Sequence, residues 1–366
     1  MKSIIPKKVS NYELFFDLVY VFAVSVLTGM MHGEGVHITI FSYLQFILAF
    51  VMLIKLWYHE TIYLNKYGER DLMDIVTIIL NMFMIGYMAR ELSLDWQKTY
   101  VTFNIFFLLS NISVLLQYVL RARRLGGFSQ TMRYHMKDIG VDMAIQVIWF
   151  IWLTRDPHMS ILWAYLLYGF SFVYVYLTRS KKEKDPANFA HLVERVQLIT
   201  IIYFGEAIIA SIKAFDLSSH LLEAVLSFTM ISLMFISYIT QTAVIMNHHQ
   251  QRTGLRLFYV HVGLLLSVLF TTLMIEMIEN PHHLMDAKVL GLIGMGAFYL
   301  IIELLSPYNK SNIALTKKWL ILHWGSLVIF LTLALIFVSD PVTLLSFGVL
   351  SGLSQFGIVL GRLPNR

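Results

Sequence analysis

The residues best suited to chemistry in this sequence are acids that lie within long apolar stretches. Glu13 and Asp17 are spaced i, i+4, so a helix places both on one face, about 6 Å apart along its axis. Glu206 lies about 15 Å into a later stretch at the helical rise. A charge at the bilayer centre costs about 2.5 to 3.5 kcal/mol on insertion scales, so each needs a partner, a water-filled cavity or a proton. We expect these carboxyls to be functional; the alternative for Glu206 is a protonated group that joins helices.

A second set of polar residues within apolar stretches has structural explanations of comparable weight. Asp74 and Asp142 lie near the cytoplasmic ends of predicted spans, where helix N-termini favour acids. Arg70, Arg133 and Lys137 can neutralise them there. A histidine inside a span is more often a hydrogen-bonded core residue, although it can relay protons near neutral pH. The remaining candidates of this set are Glu276, Glu303, His261 and His323.

Other kinds of site lack the necessary residues. The sequence has 0 cysteines, which excludes disulfides, thiolate zinc sites and cysteine nucleophiles. Two histidine clusters lack the helical histidine pair and acid of a metalloprotease, so we expect no metal and no cofactor. They are His32, Glu34 and His37, and His282, His283 and Asp286. No Walker loop, nucleophile elbow or Rossmann fingerprint occurs, so we expect no enzyme.

The elements that must position these side chains are membrane-spanning helices. Of the 366 residues, 57% are hydrophobic and 14% are charged, whereas a soluble domain has about 25% charged residues. This composition argues against soluble enzymes and nucleic-acid-binding proteins. A span needs roughly 20 mainly apolar residues, which predicts an all-α bundle of about twelve spans. They run approximately over 14–31, 38–58, 72–90, 99–120, 139–154, 159–178, 196–214, 221–246, 256–279, 285–305, 318–338 and 342–361.

Loop charges predict the orientation of these spans. With both termini in the cytoplasm, most of the 28 lysines and arginines lie on the cytoplasmic side, as the positive-inside rule requires. Two basic connections, 121–138 and 179–195, are expected to set this topology and could also bind anionic lipid head groups. Lys55 and Lys213 are expected to snorkel to the interfaces. The first stretch lacks a cleavage site and is expected to remain a span.

The polar break near residue 180 leaves six predicted spans on either side. This indicates two six-helix halves, 1–180 and 181–366, of the same topology, as in parallel repeats. Three glycines of the tenth span, Gly291, Gly294 and Gly296, have the spacing of helix-contact residues. Gly205, beside Glu206, is expected to allow a close approach of the same kind.

Two motifs carry a family resemblance. The run Tyr-Glu-Leu-Phe-Phe-Asp-Leu-Val-Tyr-Val-Phe-Ala at 12–23 resembles the first signature of the bacterial low temperature requirement A family. The run Phe-Gly-Glu-Ala at 204–207 is similar to its second marker, with Phe204 and Ala207 in place of the usual Leu and Ser. The resemblance implies a multispanning protein of the bacterial plasma membrane, associated by name with growth in the cold. The two motifs contain Glu13, Asp17 and Glu206, the same three carboxyls that the cost of burying a charge marks as functional candidates.

We therefore expect a secondary transporter in which Asp17 and Glu206 face a central cavity and Glu206 exchanges a proton or cation as access alternates. The sequence does not indicate which small substrate is transported. A protein that binds or scrambles lipids during envelope maintenance is the alternative. An intramembrane enzyme or cofactor binder is a third and weaker one, because no nucleophile-base pair is visible.

Overall fold

The computed structural model describes residues 7–31, 38–155, 162–182, 186–278, 280 and 283–363. Over these residues the chain is almost entirely helical and has no strand. The α-helices are α1 Asn11–Gly29, α2 Ile40–Lys66, α3 Leu72–Arg90, α4 Trp96–Arg124, α5 Gln130–Arg155, α6 Leu162–Lys182, α7 Phe189–Ala214, α8 Leu221–Ile239, α9 Leu255–Met277, α10 Leu284–Ile302, α11 Lys317–Phe337 and α12 Pro341–Arg362.

Ten helices within the described part are long and apolar enough to cross a membrane. The exceptions are α5, which carries Asp138 and Asp142, and α6, whose apolar part is Leu166–Thr178. Large apolar side chains remain exposed along the outer faces, as Leu18, Phe22 and Phe83 do. In a bilayer these faces contact lipid; water-soluble monomers rarely leave such large apolar surfaces uncovered. The prediction of a polytopic helical bundle is confirmed.

Several helix boundaries differ from those predicted from apolar runs. The connection predicted at 121–138 is mostly helical, because α4 continues to Arg124 and α5 begins at Gln130. The connection at 179–195 likewise shortens, because α7 already begins at Phe189. Arginine, lysine and glutamine are good helix formers, so helices continue past the apolar residues that mark a span. The predicted turn at Asp156-Pro157 lies outside the described residues.

Helix starts follow local capping chemistry. The Ser10 hydroxyl accepts from the Glu13 N–H, while the Glu13 carboxylate accepts from the Ser10 N–H at 2.6 Å. Asp340 and Thr343 make the same reciprocal arrangement at the start of α12, with Pro341 in the first turn. Such boxes satisfy backbone donors that have no partner within the helix. Glu13 is therefore a capping residue as well as a buried acid.

The chain divides into two compact units, Met1–Leu198 with Gln251–Phe258 and Ile199–Gln250 with Tyr259–Arg366. In the first unit, α2 packs against α1, α4 and α6, and nearly every residue of its second half is buried. The predicted repeat of two halves divided near residue 180 stays a prediction. The second half of α2 is thus enclosed by its neighbours, whereas its first residues, Ile40 and Phe41, are exposed.

In the second unit, α12 packs against α8, α10 and α11. After α8 the backbone continues as a π-helical turn, Thr240–Ile245, and after α10 as a 3-10 turn, Glu303–Tyr308. A Cβ at Gly294 would meet the Ser267 carbonyl oxygen at 2.9 Å, so this glycine permits the close helix contact that its spacing predicts. The same prediction for Gly205 is wrong, because a Cβ there would meet no described atom within 4 Å.

Candidate functional site

Asp17 lies in a buried ion pair near the start of α1. Its carboxylate accepts from the Arg195 guanidinium at 2.7 Å and from the Trp57 indole N–H at 2.9 Å. The guanidinium also lies over the Trp57 ring, 5.6 Å from its centroid. Arg195 is 0% exposed, although its charge suggested a cytoplasmic loop. A cation and an anion that are both removed from water stabilise each other strongly, so each needs the other.

Glu13 joins the same cluster one turn nearer the N-terminus of α1. Arg195 donates to its backbone carbonyl at 2.7 Å, and His191 lies 3.1 Å from its carboxylate. The Asn65 amide donates to the other ring nitrogen of His191 at 2.9 Å, which leaves the proton on the nitrogen that faces Glu13. The first sequence motif thus folds into an ion-paired cluster with α2 and the first turns of α7.

Asp142 lies about 18 Å from either end of α5, near the middle of that helix. Its carboxylate contacts the Lys55 ammonium and the Ser171 hydroxyl, and His59 lies 2.9 Å from its second oxygen. Lys55 in turn donates to Ser171 at 2.5 Å and lies 5.7 Å from the ring centroid of Phe172. Asp142 is 0% exposed.

Two sequence predictions about this cluster are wrong. Arg133 and Lys137 were expected to neutralise Asp142, but its partners come from α2, where Lys55 and His59 share a face at i and i+4. Lys55 was expected to reach an interface, but it is buried, about 16 Å from the C-terminal end of α2. The nearest anion, Asp142, decides the position of the Lys55 ammonium. A buried ammonium without an anion would cost far more free energy than bending the lysine side chain.

Glu60 is a further fully buried acid that the sequence predictions did not include. Its two carboxylate oxygens accept from the side-chain amides of Asn81, at 2.8 Å, and Gln117, at 2.9 Å. Gln117 also donates to Thr77 at 2.9 Å, and Asn81 accepts from Ser110. These amides lie on α3 and α4, so one carboxyl joins three helices. The second predicted span ends at residue 58, so Glu60 did not count as a buried acid; the signal in the sequence is the pair of amides, Asn81 and Gln117, within the next two predicted spans.

Asp74 is held at the start of α3 by Arg121 of α4 at 2.9 Å and by the Tyr63 hydroxyl at 2.8 Å. The N–H groups of Glu69 and Arg70 also donate to it, at 2.7 and 3.1 Å. Arg70 adopts a left-handed conformation, with φ 63°, that aims its N–H at the acid. The expected partner Arg70 therefore contributes its backbone, and the neutralising cation is Arg121.

Asp71, which caps α3 just outside the span, accepts from the Asp74 N–H and contacts Arg121 and Arg124. Partial burial acts to raise its pKa, but the Asp74 N–H and the two arginines together hold the pKa of Asp71 below its usual value. This end of the first unit is therefore an ionised cluster, which fits a location in the interfacial region of a bilayer.

The remaining predicted residues lie in the second unit. Glu206 of α7 is buried and lies within electrostatic range of Glu276 of α9. His261 is buried and its ring lies 3.0 Å from the Tyr238 hydroxyl. Asp17 and Glu206 thus belong to different units, and the shared cavity expected for them stays a prediction.

Glu303 and His323 come together, with Oε1 and Nδ1 3.6 Å apart. The Trp324 indole donates to the other oxygen of Glu303 at 2.9 Å, and the Gln355 carbonyl oxygen lies 2.5 Å from Nδ1 of His323. Nothing in the sequence indicated this pairing, because the two residues lie on different spans.

Metal-ligand groupings are absent from the part of the chain that the structure describes. Of the two histidine clusters, 32–37 and His282 lie outside the described residues. His283 lies 3.3 Å from Asp286, one turn along α10. This i, i+3 pair supplies only two of the four ligands that a structural zinc site requires.

Comparison with protein families identifies the chain. The family model described as bacterial low temperature requirement A protein matches residues 8–354. The chain belongs to the low temperature requirement A family. No curated protein matches the sequence. The matched range includes both motifs and every ionisable residue of the low temperature requirement A chain discussed above, so the resemblance seen in the two motifs is confirmed.

Proposed function

We propose that this low temperature requirement A protein is a proton- or cation-coupled secondary transporter of a small substrate and not an enzyme. The observation that carries the proposal is the Lys55, His59 and Asp142 cluster near the middle of α2 and α5. Ionisable groups at membrane depth are costly and are commonly retained for ion or proton pathways. Membrane transporters place their coupling groups near the middle of the bilayer, and α2, which carries Lys55 and His59, is long and apolar enough to cross it.

The chemistry of the cluster suits a coupling role. Asp142 contacts the Lys55 ammonium and the His59 imidazole together. Because coulombic interactions are strong in a low-dielectric interior, adding or removing one proton changes the stability of this packing arrangement by more than it would in water. Such a cluster favours one arrangement when protonated and another when deprotonated, which is what coupling requires.

The polar groups of α2 continue from this cluster towards one end of the helix. His59, Thr61 and Asn65 follow Lys55 over about 15 Å. Thr61 contacts Arg195, and Asn65 contacts His191. At about 3.6 residues per turn, Thr61 and Asn65 lie on a different face of α2 from Lys55 and His59, so this helix contacts both the Asp142 cluster and the Asp17 and Glu13 cluster.

Glu206 keeps its predicted place in the proposal, together with Glu276. Two carboxyls within electrostatic range of each other can share one bound proton or cation, because that ligand removes the repulsion between their charged forms. We place the protein in the bacterial plasma membrane with both termini in the cytoplasm. Its basic helix ends would then contact anionic lipid head groups.

Reconstitution of the full chain into liposomes with an internal pH-sensitive dye tests the proposal. We expect proton or cation movement when a pH, sodium or potassium gradient is imposed, and at least a tenfold lower rate for Asp142→Asn and His59→Gln. His249→Gln, an exposed histidine outside the cluster, is the matched control. Movement no faster than in empty liposomes under every gradient, or equal rates in the wild type and Asp142→Asn, would overturn it.

Lipid handling is the second candidate, because an apolar groove of about 350 Å³ lies between the end of α7 and the start of α8. Ile212, Phe215 and Phe228 line it, and Ile212 is largely exposed. A groove of this composition suits an acyl chain. A fluorescent-lipid scrambling assay separates this candidate from the transporter, since substitution of Phe228 by tryptophan would then slow scrambling and leave ion movement unchanged.

A further inference from the structure

Residues 7–10 precede α1 and form a strap across one end of the first unit. The first attachment of the strap is Lys7, whose ammonium donates to the backbone carbonyl oxygens of Leu64 and, at 2.7 Å, Gly68. These carbonyls lie at the C-terminal end of α2, where a helix has acceptors without an N–H partner and favours a cation. Lys7 therefore caps α2 and fixes the strap to it.

Two further hydrogen bonds attach the strap to neighbouring elements. The Arg70 guanidinium, just before α3, donates to the Lys8 carbonyl oxygen. The Val9 N–H donates to the Glu194 carboxylate of α7 at 3.2 Å. Both contacts lie at the exposed surface, where hydrogen bonds to water compete with them. Releasing residues 7–10 therefore costs less than opening the buried helices below them.

A void of about 10 Å³ lies between the strap and the ionised groups of the first unit. Lys7, Glu13, Asp74 and Ile78 are among the residues that line it. A void of this volume has room for about one water molecule and for no larger solute. Traffic to Glu13, and to its neighbour Asp17, through this end of the unit therefore requires the strap to move.

The electrostatics of Lys7 favour such movement. Partial burial lowers the pKa of Lys7, although Glu13 and Asp74 act to raise it, and Arg70 and Arg121 lower it further. The groups that the ammonium contacts directly are neutral carbonyls, so no ion pair offsets the loss of water. The closed and open positions of the strap are therefore closer in free energy than a fully ion-paired lysine would make them.

These observations point to a gate. We propose that residues 7–10 are a movable strap that closes one entrance to the Glu13 and Asp17 cluster, with Lys7 as the residue that holds it shut. The opening of the strap is a property of the first unit alone. Its use in admitting protons or cations during alternating access rests on the proposed transport function.

The chain has 0 cysteines, so one introduced thiol reports water access at a chosen position. Ile78→Cys places a thiol at the void, and Ile85→Cys places one on the same face of α3, about 10 Å further along the helix. Both isoleucines are buried, at 3% and 0% exposed. The rate at which each thiol reacts with a water-soluble, membrane-impermeant thiol reagent is measured for the full chain in nanodiscs.

Lys7→Met should raise the reaction rate of the Ile78→Cys thiol at least tenfold, because two hydrogen bonds from a charged donor are lost. The rate of the Ile85→Cys thiol should stay unchanged. Lys8→Met is the matched control, since the Lys8 side chain is exposed and only its backbone carbonyl holds the strap. Lys7→Arg keeps the charge and the N–H donors and should restore most of the protection.

Three results would overturn the gate. The first is an equal reaction rate at Ile78→Cys with and without Lys7→Met. The second is an equal rise at Ile78→Cys and Ile85→Cys, which would mean that the whole unit loosens. The third is an acceleration by Lys8→Met as large as that by Lys7→Met, since loss of any nearby charge would then suffice. A failure of transport is seen separately, as absent ion movement in liposomes with these labelling rates unaltered.

Discussion

Replacement of Lys55 by methionine tests whether the buried charges of the first unit depend on one another. Methionine keeps most of the apolar stem and removes the ammonium, so Asp142 loses its cation in a site that is 0% exposed. His59 and Ser171 remain as partners of the carboxylate. We expect a loss of stability dominated by the anion left behind, not by lost packing.

The magnitude follows from the burial of both groups. Removing one member of a buried ion pair costs about 3 to 5 kcal/mol, whereas replacing both members by neutral groups is often nearly neutral. Lys55→Met and Asp142→Asn should therefore each lower the free energy of unfolding by about 3 to 5 kcal/mol. The double variant should lose less than either single variant, because no unpaired charge remains.

Reversible unfolding of the purified protein in mixed micelles, followed by circular dichroism, measures these differences. The exposed Lys317→Met is the control for loss of a lysine charge, and we expect a change below about 0.5 kcal/mol. The reasoning is refuted if the double variant is as unstable as the sum of the two single variants. Additive losses would mean that Lys55 and Asp142 do not interact.

Three further predictions concern other contacts. Asp17→Asn leaves the Arg195 guanidinium without its carboxylate and should cost about 3 to 5 kcal/mol in the same unfolding assay; a cost below about 1 kcal/mol would contradict the ion pair. Glu60→Gln places an amide NH2 against one of the two amide donors, Asn81 or Gln117, and should cost about 1 to 3 kcal/mol, whereas a stabilised variant would argue against that geometry. Asp340→Ala removes a cap of α12 and should cost about 1 kcal/mol at neutral pH. The Thr343 N–H lowers the pKa of Asp340, so this stabilisation is present above the ordinary pKa near 4 and disappears as the pH falls through the lowered value; a difference that persists at low pH would contradict the assignment.

The helical membrane fold was predictable because a run of about 20 apolar residues is the length that a helix needs to cross a bilayer. Asp17 was predictable as a special residue for the same reason, since a charge in an apolar run is conspicuous. Its partner Arg195 was not predictable as a buried residue. It lies at the polar end of a later apolar run, in a basic stretch of the kind that sets membrane topology. Only packing reveals that α7 begins earlier and turns this arginine inward.

Amides illustrate a second reason why sequence reasoning stops short. Asn81 and Gln117 have no charge and do not interrupt an apolar run, so burial cost alone does not mark them. Their importance comes from Glu60, which three-dimensional proximity supplies. The prediction for Lys55 failed for a related reason. The flexible lysine side chain can either reach the interface or stay buried, and the position of Asp142 decides between the two.

The long sequence separation of the Asp17 and Arg195 pair has a consequence for biosynthesis. Arg195 is made 178 residues after Asp17. At a synthesis rate of about 5 to 20 residues per second, Arg195 is added roughly 10 to 35 s after Asp17. During that interval α1 is in the membrane or at its translocon with an uncompensated carboxyl. Assembly of the first unit can therefore be completed only after α7 has emerged, and a truncated chain that ends before Arg195 should be a substrate for membrane quality control.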